Sequence, residues 1–143
     1  MTADYDISPR RPVQLGIATG SDIEWVTPAD PIRVRGADLG EVARRTSAVR
    51  RDHPDADVVV DIEVVIAADA RSARAMVPAN LGSPGTPTML YVGTPAGLAG
   101  LIADIHALGI ADGAVLIPRK DGQTGLIADA VLPVLTTMTC LPA

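Results

Sequence analysis

Phenylalanine is absent from this 143-residue chain, and aromatic side chains make up only 2% of it. That scarcity all but excludes a stacking platform for nucleobases, which needs several exposed rings. Positive charge is also short: 12 Lys and Arg stand against 17 Asp and Glu, a formal net charge of −5. A nucleic-acid partner would want clustered cations to displace counterions, so this balance argues against one. The single cysteine, Cys140, has no disulfide partner, which is compatible with a reducing cytoplasm. Neither His53 nor His106 stands at metal-ligand spacing from the other or from that cysteine, so no metal site is expected. No apolar run reaches the roughly 18 residues of a membrane span, and the acidic start MTADYDIS lacks the apolar centre of a secretory signal. The composition points to a cytoplasmic protein without membrane contact.

What is present suits a packed domain. Hydrophobic residues make up 48% and charged residues 20%, and the length allows one core without disulfides or metals. Residues 1–12 read as a flexible N-terminal segment and residues 13–143 as a single α/β domain.

The best-organised stretch runs from Tyr91 to Pro118, YVGTPAGLAGLIADIHALGIADGAVLIP. Thr94 is placed to cap a helix that opens on Pro95, where a missing N–H costs nothing. Leu98, Leu101, Ile102, Ile105 and Leu108 then follow at the spacing of one buried stripe. Gly109 is suited to the left-handed stop. The run GAVLIP is too short for a helix and reads as a strand buried on both faces.

The same unit recurs with less clarity. Asp38 and Glu41 have capping-box spacing, and Leu39, Val42, Ala43, Thr46 and Val49 give the stripe of a helix ending near His53 and Pro54. The β-branched run from Asp57 to Ala68 is the strongest strand signal. A short helix is expected over Asp69 to Val77 and a Gly and Pro rich loop from Asn80 to Thr88. Val13 to Ala18 and Ile23 to Pro28 read as strands, and Thr124 to Met138 as a final helix that Pro133 should bend. Strands alternating with helices through short turns imply a parallel sheet.

The segment VGTPAGLAGLIADIHALGIADGAVLIP, followed by a helix containing VLPVL, resembles the C-terminal portion of luciferase-like flavin-dependent oxidoreductases. The residues that carry the resemblance are Gly93, Thr94 and Pro95, then Gly109, Ala111, Asp112 and Gly113, then Pro118, and finally Val131, Leu132 and Pro133. DIEWVTPAD and DVVVDIEVVIAADARSARA extend it more weakly upstream. The resemblance implies a (β/α)₈ TIM barrel, which typically needs about 250 residues. It therefore implies parallel βα units forming a partial, half TIM-like barrel: the C-terminal half of a truncated oxidoreductase or monooxygenase. FMN or a deazaflavin is the cofactor it implies.

Candidate sites follow, each with a plainer alternative. Ala18 to Asp22 offers backbone N–H groups and the hydroxyls of Thr19 and Ser21, with Gly20 between them, so Thr19, Gly20 and Ser21 are candidate phosphate contacts. An ordinary tight turn is the alternative, and Asp22 would repel an anion. Arg119 and Lys120 follow the last strand, at the end of a sheet where α/β folds bind ligands, with a solvated turn as the alternative. Asp61 and Glu63 share one strand face about 7 Å apart, as paired carboxylates that do acid/base work or hold a metal can; a protective acidic surface is the reading preferred here. Arg44, Arg45, Arg50 and Arg51 read as a solvated helix face, His106 as a packing residue, and His53 as a partner for a helix C-terminus. No residue stands out as catalytic. The other functional class is a non-catalytic α/β half-barrel whose open edges lead it to form a homodimer or dock on a partner subunit.

Overall fold

The computed structural model describes residues 13–19, 22–26, 30–77, 88–119 and 123–138. In chain order the elements are β1 (Gln14–Thr19), β2 (Asp22–Trp25), β3 (Ile32–Val34), α1 (Leu39–Asp52), β4 (Val58–Ile66), α2 (Ala70–Ala75), β5 (Met89–Gly93), α3 (Pro95–Ala107) and β6 (Gly113–Pro118). They close with α4 (Gln123–Leu126), a π-helical turn (Ile127–Val131) and α5 (Leu132–Met138). The expected loop from Asn80 to Thr88 lies outside the described residues except for Thr88, and Cys140 lies outside them altogether.

The architecture is α/β, with one sheet curled into a half-barrel consistent with part of a TIM-like barrel. Its order is β2-β1-β6-β4-β3, with β5 also pairing β4. Strand β4 is long enough to hold β3 and β5 end to end along one edge: β3 pairs Val58 to Val60 and β5 pairs Ile62 to Ile66. Strand β6 takes the other edge, facing Val59 to Val64, and joins β4 to β1. All of these pairings are parallel. Strands β5 and β6 therefore flank β4 on opposite sides, and α3 carries the chain across between them.

One strand departs from the parallel expectation. Strand β2 runs antiparallel to β1, with Thr19 opposite Asp22. Only two residues connect them, which suits a hairpin, whereas a parallel return needs a dozen or more.

The helices form where their local signals place them. Asp38 accepts from the Glu41 N–H at 2.8 Å while the Glu41 carboxylate accepts from the Ala37 N–H at 2.7 Å, a reciprocal cap for α1. Thr94 and Asp69 cap α3 and α2 by accepting the N–H groups of Gly97 and Ser72. Gly109 ends the α3 turn with φ of 73°, a left-handed conformation that glycine takes without strain. Leu108 is not part of the buried stripe: the helix closes at Ala107, and Leu108 is 74% exposed in the cap. The expected bend at Pro133 is a π turn just before it, which accommodates the missing proline donor and the ring's bulk.

Alternation along the strands divides the sheet. Leu15, Ile17, Val60, Ile62, Val64, Ile66, Ala114 and Leu116 face the helices, where Val42, Leu98, Ile102, Ile105, Ile127, Val131 and Leu135 complete the core. The other face is concave and holds Gly16, Val59, Asp61, Glu63, Val65, Val115 and Ile117. Ala111 is in the core, and Asp112 and Gly113 close the N-terminal ends of three strands. Gly113 has no room for a side chain, since a Cβ there would lie 1.7 Å from the Gln14 carbonyl oxygen.

Candidate functional site

Strands β1, β4, β5 and β6 bring their C-terminal ends to one rim, while β3 stops opposite Val60, partway along β4. Strands β1 and β6 are neighbours in register Ile17 to Leu116, so Thr19, at the end of β1, stands beside Pro118 and one step below Arg119. Two of the residues expected to contact phosphate are thereby brought to adjacent strand ends, although a hundred residues separate them in sequence. Thr19 is the last residue of β1 rather than part of the turn, and its side chain is exposed. Gly20, Ser21 and Lys120 lie outside the described residues.

Arg119 is already engaged. Its Nε contacts the Glu63 carboxylate at 3.0 Å while the side chain stays 43% exposed. Among the described residues neither terminal nitrogen has a partner, which leaves a planar fork that suits phosphate. Glu63 sits two residues along β4 from Asp61, as the alternation requires, but the two do not form a bare carboxylate pair. Asp61 accepts from Arg33 through both oxygens, at 2.9 and 3.0 Å, and from Arg35 at 3.2 Å. Its side chain is 2% exposed, so the expectation of a solvent-facing acidic surface is corrected at Asp61. Burying that charge is tolerable only because two guanidinium groups follow it in.

Arg33 and Arg35 carry no motif and escape a periodicity search, because β3 is only three residues long. The alternation Ile32, Arg33, Val34, Arg35 was the available signal: apolar toward the helices, cationic toward the concave face.

The concave face has an apolar border. Trp25 lies over Gly16, where a Cβ would come within 2.8 Å of its ring, and Ile23 is close by. Across the sheet, Leu90 pairs with Glu63 in register and is 44% exposed.

Below the opposite rim, Asp112 accepts the Val58 N–H at 2.8 Å and Arg50 at 3.0 Å, while Arg50 also donates to the Gly109 carbonyl at 3.0 Å. Arg50 is therefore a structural cation, which corrects the reading of it as purely solvated. Arg45 pairs with Glu41 on the helix surface. His53 caps α1, its N–H bonding the Val49 carbonyl, and His106 lies half-buried in the last turn of α3. No group of metal-ligating side chains occurs among the described residues, and no helix among them is long and apolar enough to cross a membrane.

No protein-family model matches the chain, and no curated protein is similar to it in sequence. Among solved structures it is similar to riboflavin lyase, RcaE, whose crystal structure holds a modified FMN and the substrate riboflavin. The TM-score is 0.61 at 17% identity over 74% of this chain. The match spans 38% of that protein's chain. At this identity the similarity is one of fold, a relationship in keeping with the luciferase-like resemblance without assigning the family.

Proposed function

We propose that this chain is a partial luciferase-like flavoprotein of the oxidoreductase and monooxygenase type, binding FMN or a deazaflavin at the C-terminal rim of its sheet. The observation that carries the reading is the adjacency of Thr19 and Arg119 on neighbouring strand ends, where α/β sheets take ligands. The flavin phosphate is contacted by Thr19 and Arg119 at the adjacent strand ends, and Gly20, Ser21 and Lys120, next to them in sequence, are the further contacts this reading names. Their chemistry fits the group: the exposed Thr19 hydroxyl, and a half-exposed guanidinium whose terminal nitrogens have no partner among the described residues. Glu63 orients that guanidinium. Further support comes from the fold similarity to an enzyme crystallised with a modified FMN.

The bound flavin would supply the electron-transfer chemistry, while the protein binds and orients it. No side chain in the described residues takes a catalytic role in this reading. The test is optical. Trp25 is the single tryptophan and lies on the concave face, so added FMN should quench its emission saturably, and R119Q should weaken that binding. Absence of quenching up to millimolar FMN would refute the reading.

A second reading rests on the open sheet. Strand β2 ends one side and β3 with β5 the other, and Leu90 is exposed beside the latter. Edges with no partner strand among the described residues favour association, so a non-catalytic module that forms a homodimer, or docks on a partner subunit, is the alternative. A monomer across the micromolar range in light scattering would count against the homodimer.

A further inference from the structure

The Arg33, Asp61 and Arg35 cluster belongs neither to the rim nor to the Asp112 and Arg50 contacts at the other end of the sheet, and its charge does not balance. Two guanidinium groups converge on one carboxylate, leaving a formal charge of plus one on the concave face of a chain whose net charge is −5. The carboxylate is spent: buried, and accepting three charge-assisted bonds. The cations are not. Arg33 uses Nε and Nη2 on Asp61, and Arg35 uses Nη2 alone, so both keep donors directed elsewhere among the described residues. Arg35 is 46% exposed. A pair of arginines fixed from behind by a buried acid is a preorganised oxyanion receptor, because the entropy of ordering two long side chains is met in the folding of the chain.

The surroundings specify what the anion is attached to. Arg35 follows β3, and β5 continues the same edge of β4, so Leu90 lies on the same face about two residues, or roughly 7 Å, further along. Beyond it, Val92 pairs with Val65 on that face. An anionic head on the arginines would therefore lay an attached apolar group along Leu90.

We propose that Arg33 and Arg35, held by Asp61, form a binding site for the oxyanion head, phosphate monoester or carboxylate, of a small molecule with an apolar body. The site is separate from the rim contacts at Thr19 and Arg119 and does not depend on flavin binding there.

The test uses the whole chain with inorganic phosphate, phenyl phosphate and benzoate as probes, followed by calorimetry and by ³¹P line broadening for the two phosphates. Phenyl phosphate should bind several-fold tighter than inorganic phosphate, and L90S should remove the difference. R35Q should weaken binding of both phosphates at least tenfold. R35K, which keeps the charge but loses the planar fork, should weaken it several-fold, and in an R119Q background, which removes the rim contact, the Arg35-dependent binding and its response to L90S should persist. Benzoate against phenyl phosphate tells which head is preferred. Phosphate binding lost in R119Q but retained in R35Q and R35K overturns the proposal, as does no binding of any probe at millimolar concentration. Quenching of Trp25 by FMN is read in parallel. Equal quenching in wild type and R35Q, without a phosphate effect at Arg35, sinks this site while sparing the flavin reading. Phosphate binding that depends on Arg35, with no response to FMN, does the reverse.

Discussion

Asp112 holds the first N–H of the central strand: its Oδ2 accepts from the Val58 backbone at 2.8 Å, and the Val58 carbonyl accepts in turn from the Asp112 N–H at 2.6 Å. The Asp112 carbonyl also accepts from the Gln14 N–H, so one residue ties β6, β4 and β1 at the same end of the sheet. The Ala-Asp-Gly turn that carries part of the sequence resemblance is therefore structural, at the opposite end of the strands from Thr19 and Arg119.

Replacing Asp112 should be costly. D112A leaves the buried Val58 N–H without its acceptor and strips Arg50 of its carboxylate, leaving it only the Gly109 carbonyl, and a loss of about 2–3 kcal/mol is expected in urea denaturation. D112N keeps an acceptor for Val58 while losing the charge pair, so its loss should be smaller.

Gly113 admits no side chain, because backbone and not a flexible group occupies the space. G113A should force β1 away from β6 and abolish cooperative unfolding. A cooperative melt close to wild type would contradict that geometry.

Gln123 is a strand surrogate. Its amide accepts from the Ile66 N–H at 2.6 Å and donates to the Ile66 carbonyl at 2.8 Å, beyond the last β4–β6 pair, Val64 with Pro118. Q123A should orphan both groups and cost about 2–4 kcal/mol, at about 1–3 per buried group with partial relief by water. Q123E should also destabilise, because a carboxylate has no donor for the carbonyl. Thermal denaturation of the two variants checks this.

The helix caps make stability fall in acid. The Ala37 N–H, with Arg45 next, holds the Glu41 carboxyl below its ordinary value of 4.5. The Ser72 N–H, followed by the Ser72 hydroxyl, holds Asp69 below 3.8. A carboxyl whose pKa is lowered by folding contributes fully above its unfolded value and loses that contribution as pH falls through the folded one. Amide exchange at the first turns of α1 and α2 should therefore accelerate, relative to its intrinsic pH dependence, as pH drops below about 4.5. E41Q should flatten the response in α1 alone.

Much of this fold was legible because its signals are local. Thr94, Pro95 and Gly109 mark the ends of α3, and GAVLIP marks β6, through capping and burial that need only neighbouring residues. Strands β3 and β5 were not legible, being too short for a period to show against the surrounding loops. Leu108 fitted the apolar stripe by spacing, but the helix stopped one residue earlier.

The sequence by itself determined the α/β alternation, the caps, the solvent-free interior of β4 and β6, and the candidate rim residues Thr19 and Arg119, since each follows from residue type and spacing. Only the tertiary structure decided that β6 lies between β1 and β4, bringing those two rim residues together, and that Asp61 is buried under Arg33 and Arg35. The reason is physical: strand order and ion pairing join residues tens of positions apart, and those choices are settled by how the sheet curls and what its concave face must neutralise, which no local period encodes.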